Sequence, residues 1–128
     1  MNELITQAKS DLEIRMYKNI SDAIQARILF KTRIFEYNMD NEKDKNIFDN
    51  TMRLLKIEIM NHLEYACIMY LNGKVNNNTF ESFYSDIVKV WAKNIKSTRT
   101  NKKDKTVYSA IRQVNKLWKK EGRYATGI

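Results

Sequence analysis

The chain has 128 residues, enough for one domain around a single core, and its 43% hydrophobic and 30% charged content excludes a disordered composition. It carries 23 Lys and Arg against 15 Asp and Glu, a formal net charge of +8, so a polyanion is the first partner class to consider. There is no Pro, Gly is restricted to three positions, and a single Cys excludes an internal disulfide.

Residues 1 to about 40 read as helical. Leu4, Ala8, Leu12, Met16, Ile20, Ile24 and Ile28 recur every fourth residue. A strict four-residue repeat drifts by about 40° per step around a straight helix. The pattern therefore predicts a bend or break near Asn19–Asp22, where Ser21 can cap a new start, and Met39–Lys45 reads as a charged loop. The stripe of Leu4, Leu12, Met16 and Ile20 also exceeds what one neighbour covers, which predicts that this N-terminal helix extends the bundle or forms a homodimer contact. No basic and apolar leader opens the chain, and no run of about 18 apolar residues could span a bilayer. A cytoplasmic protein is expected, and the richness in Asn, Lys and Ile fits an AT-rich bacterial or phage genome.

From about Asn46 to Leu71, Phe48, Met52, Leu55, Ile59, Leu63, Ala66, Cys67 and Tyr70 fall at spacings of three and four, the period of one helical face. Leu54, Ile57, Met60 and Leu71 widen the stripe, which predicts a central helix. Gly73 is the expected stop, with Val75 packing back. Asn78 is then the expected cap of a third helix, with Glu81 at capping-box spacing, and Phe80, Phe83, Tyr84, Ile87, Trp91 and Ile95 as its inner face. Residues 96–104 contain no apolar side chain and read as a loop. A last helix is expected from about Lys103 to Glu121, with Val107, Ile111, Val114 and Trp118 inward and Gly122 as its stop. The predicted fold is all-α, a single-domain bundle of four or five helices joined by short polar loops.

No constellation assembles a catalytic site. His62 is the only histidine, with Glu58 one turn before it, and a helical ion pair accounts for that spacing. Carboxylate-bridged metal bundles need Glu-x-x-His on two helices, and no second half exists here. Helical ribonucleases of the HEPN family place an Arg four to six residues before a His, whereas eight residues separate Arg53 from His62. Cys67 sits in an apolar run with no base or cation beside it, as a buried structural thiol would. Neither a phosphate-binding Gly loop nor a Cys/His metal spacing occurs, so no enzyme activity, cofactor, metal or small-molecule substrate is expected.

The charge is unevenly placed. Residues 91–128 hold eleven Lys and Arg against Asp104 and Glu121, a sum of +9, while the first ninety residues sum to −1. On a helical wheel Lys105, Arg112, Lys116, Lys119 and Arg123 lie within roughly 60° of one another, opposite Val107, Ile111, Val114 and Trp118. Lys120 adjoins them, and Arg99, Lys102 and Lys103 precede them among Ser, Thr and Asn. Cations mixed with hydroxyl and amide side chains are what phosphate oxygens are held by. The aromatics Trp91, Trp118, Phe80 and Phe83 are placed as core rather than as stacking platforms for bases.

Asp22–Arg27, then Leu63-Glu64-Tyr65-Ala66 with Gly73-Lys74-Val75, then Phe80 and Phe83 leading to Trp91, together resemble an uncharacterised family of small helical bacterial and phage-encoded proteins. The similarity spans about residues 20–95, omits the basic tail, and implies a helical fold and microbial origin but no activity.

The sequence thus predicts a non-catalytic adaptor or regulator that binds a polyanion, either nucleic acid or an acidic protein surface, through residues 96–123. Alternatives are a phage-encoded inhibitor of a host defence or nucleoprotein complex, a structural homo-oligomer, a peripheral contact with anionic membrane, or a basic face that is simply solvated.

Overall fold

The computed structural model describes residues 2–95 and 107–122, with side chains from Gln7 onward. These residues form four α-helices and no strand: α1 (Asn2–Lys31), a 3-10 turn (Thr32–Glu36), α2 (Glu42–Leu71), α3 (Asn77–Ala92) and α4 (Ser109–Lys120). This is the all-α bundle that the apolar periods predict. α2 is central and packs on each of the other three. Glu13 reaches Asn76, Tyr17 lies against Phe83, and Arg27 lies over Trp91, so α1 and α3 run in the same direction.

α1 is continuous through Asn19–Asp22, and the expected break is absent. The four-residue repeat does drift. Met16 and Ile20 are buried, Leu12 and Ile24 are partly buried, and Ile28 is 52% exposed. Ala23 takes over the buried face, and Phe30 stacks on Phe48 of α2 with centroids 5.2 Å apart. The helix keeps its partner by changing which residues face it, without a break. Met16 and Ile20 therefore lie in the chain's own core, as an extension of the bundle requires. The Leu4 side chain lies outside the described residues.

α2 begins at Glu42, four residues before the expected start at Asn46. The Asn41 side chain accepts from the Asp44 N–H at 3.0 Å, and Asp44 in turn accepts from the Asn38 N–H at 3.0 Å. Glu42–Lys45, expected as loop, is thus the capped first turn, with Glu42 and Asp44 at the positive end of the helix dipole. That turn contains no apolar residue, so hydrophobic periodicity cannot register it. The far end closes as expected. Gly73, at φ +70°, donates to the Tyr70 carbonyl, Lys74 donates to that of Met69, and Val75 is buried.

The cap of α3 is Asn76, not Asn78; its side chain accepts from the Thr79 N–H at 3.0 Å. The Glu13 carboxylate on α1 accepts from the Asn76 N–H, which sets the turn earlier than local spacing implies. Glu81, freed from a capping box, accepts from the Tyr70 hydroxyl at 2.8 Å. The inner face is rotated to match. Phe80, Tyr84, Val88 and Ile95 are buried, while Phe83 is 55% exposed. Tyr70, Phe80 and Tyr84 stack in a column with centroids 4.6 Å and 4.2 Å apart, and the Trp118 indole N–H donates to the Tyr70 hydroxyl at 3.1 Å. The aromatic core therefore joins three helices, with the polar tips of Tyr70 and Trp118 paired to each other.

Candidate polyanion-binding surface

α4 starts at Ser109, after a turn at Val107 and Tyr108, and the expected start at Lys103 lies outside the described residues. Tyr108 adopts a left-handed φ of +53°, a conformation that costs a non-glycine residue on the order of 1 kcal/mol or more. It supplies no side-chain cap. The cap comes instead from α2. One oxygen of Glu64 accepts from the Ala110 N–H at 3.1 Å and the other from the Ile111 N–H at 3.0 Å. The Tyr108 hydroxyl adds a hydrogen bond to Asn61 at 3.1 Å. A carboxylate at a helix N-terminus satisfies orphan donors and meets the positive end of the dipole, so α4 is fixed in rotation as well as position.

That fixed rotation buries Ala110, Ile111, Val114 and Trp118 and turns the cations outward. Lys116, Lys119 and Lys120 are exposed and Arg112 is half-exposed, as the helical wheel predicts. The ion pairs among the described residues are Arg33–Glu36 and His62–Glu58, and neither involves Lys116, Lys119 or Lys120. Gly122, at φ +68°, ends the helix as expected. Arg99, Lys102, Lys103, Lys105 and Arg123, the rest of the predicted surface, lie outside the described residues.

A second pair of cations was not apparent from the sequence. The Arg27 guanidinium of α1 lies over the Trp91 ring of α3, 5.7 Å from its centroid, and its buried Nε has no hydrogen-bond partner. Lys56 of α2 is close enough that burial, and then the Arg27 charge, lower its pKa. Three helices converge there, within about one turn of Ile95, where the basic 96–106 segment begins. Residues 27, 56 and 91 are too far apart in sequence for any local spacing to have paired them.

The residues weighed for chemistry are placed as follows. His62 is half-exposed, with Nε2 3.9 Å from Glu58. Cys67 is fully buried, and burial followed by the charge of Glu64 pushes its thiol pKa well up, which opposes the thiolate that reactivity requires. No group of three or more His, Cys, Asp or Glu that could hold a metal occurs among the described residues. No helix among them is long and apolar enough to cross a membrane. No family model, curated protein or solved structure matches the chain, so the resemblance across residues 20–95 carries no further argument.

Proposed function

We propose that this protein is a non-catalytic adaptor or regulator, acting in the cytoplasm, that binds nucleic acid or a nucleoprotein through α4 and the basic segment preceding it. The observation that carries this reading is the division of α4. Four buried apolar side chains lock one face to α2 and α3, and Arg112, Lys116, Lys119 and Lys120 crowd the other. The Glu64 clamp strengthens the reading, because charges presented by a rigid helix lose less freedom when phosphates bind.

The test is binding to duplex DNA, single-stranded DNA and RNA at two or more salt concentrations, with Arg112→Gln, Lys116→Gln and Lys119→Gln combined as the comparison. The wild type binds more weakly as salt rises, and the triple variant folds normally but binds poorly. Lys43→Gln with Lys45→Gln, in the charge-balanced half, changes little. Absence of salt-dependent binding to all three nucleic acids overturns the reading in favour of an inhibitor that docks on a host protein.

A further inference from the structure

We propose that the outer face of α1, together with the adjoining edge of α3, is the contact of an antiparallel, twofold homodimer. Between these two helices runs a groove of about 510 Å³, floored by Met16, Phe80 and Tyr84 and walled by Ile14, Tyr17 and Phe83. Ile14 is 68% exposed, Phe83 55% and Ile28 52%, high values for large apolar side chains grouped on one side of a small protein. The basic 96–106 segment contains no apolar residue, so that part of the chain cannot fill the groove.

The spacing on α1 specifies the occupant. Ile14, Ser21 and Ile28 are seven residues apart, and positions a heptad apart stay on one line with a drift of only about 20°. The line is symmetric about Ser21, with a large apolar residue at each end and a small one at its centre. A second α1 laid antiparallel across that centre sets Ile14 against Ile28 of the other copy, twice, while Ser21 meets Ser21 where the backbones approach most closely. Its partner-facing flank then lies in the α1–α3 groove, against Tyr17 and Phe83. The pairing is isologous, as a closed dimer requires.

The charges are complementary in the same arrangement. Lys18 and Asp22 are exposed on the rim of the groove, one turn apart, and neither joins an ion pair among the described residues. In the antiparallel arrangement Lys18 of each copy comes beside Asp22 of the other. The basic excess does not oppose association, because α4 packs on α2 and α3 and the first ninety residues are nearly balanced. This face differs from the Met16–Ile20 stripe, and the proposal stands independently of polyanion binding.

The test is analytical ultracentrifugation of the full chain from roughly 1 to 100 μM, the range of a modest protein–protein affinity. Wild type dimerises with rising concentration. Ile28→Glu, at an exposed position, keeps full helicity by circular dichroism and weakens dimerisation tenfold or more. Lys18→Asp weakens it, and adding Asp22→Lys to that variant restores it. Under mild oxidation Ser21→Cys forms a covalent dimer. Ala26→Cys, exposed where Ser21 is half-buried but about 140° around α1 from it, does not; Cys67 is buried and silent. A monomer at every concentration overturns the proposal. So does a dimer indifferent to Ile28→Glu and Lys18→Asp, or equal crosslinking by the two cysteine variants.

Discussion

The carboxylate of Glu64 on α2 accepts the backbone N–H of Ile111 on α4 at 3.0 Å, and its second oxygen holds the neighbouring Ala110 N–H. This contact orients the helix that carries the basic ridge. Glu64→Ala leaves two donors at the start of α4 unpartnered in a partly buried site, next to the left-handed Tyr108. The expected loss is about 1–2 kcal/mol, the usual range for a helix cap, measured by urea unfolding. Amide exchange should quicken first at Ala110 and Ile111. Unchanged stability and exchange would remove Glu64 from this role.

Tyr84 is buried and its hydroxyl has no hydrogen-bond partner. Tyr84→Phe keeps the ring stacked on Phe80 and deletes an unsatisfied polar atom, so stability should rise by about 1 kcal/mol. Burial, with smaller contributions from Cys67, Tyr17 and Glu13, raises the phenol pKa above its ordinary value. The folded state thus holds this proton to higher pH than the unfolded chain does. Stability is intact below about pH 10 and falls as pH climbs from there toward the folded pKa, as the unfolded phenol ionises first. The Tyr84→Phe variant should show a shallower alkaline decline in urea midpoint, with Tyr108, also raised by burial, supplying part of what remains.

Cys67, fully buried and with its pKa pushed up, should not react with a thiol reagent in the folded protein at neutral pH. Full labelling should follow denaturation, at the rate of unfolding or local opening. Rapid labelling of native protein would mean that the α1–α2–α3 core opens readily.

The salt dependence of binding has an expected size. About five phosphate contacts on duplex DNA give a slope of log K against log salt near −4.5, because each contact releases condensed counterions. The triple Gln variant of α4 should lose about three units of that slope if each side chain meets one phosphate. A variant with lowered affinity but an unchanged slope would mean that these residues act through something other than phosphate contact.

Much of this molecule could be read one residue window at a time. The three-and-four spacing from Phe48 to Tyr70, the Gly73 and Gly122 stops, and the outward placement of Lys116 and Lys119 all follow from the helical period and local backbone preference. These features depend on neighbours within about five residues, and the sequence states them directly. The charge asymmetry is likewise a matter of composition. The tertiary structure decided whatever depends on a distant partner. Asn76 rather than Asn78 caps α3 because Glu13, 63 residues earlier, holds the Asn76 N–H. Val88 is buried and Phe83 exposed because α3 rotates to stack Phe80 between Tyr70 and Tyr84. Glu64 caps a helix 46 residues downstream, and no local pattern marks an exposed-looking carboxylate for that task. Even the continuity of α1 was settled this way. A drifting apolar stripe permits a break or a change of facing residues, and the position of Phe48 opposite Phe30 selects the second.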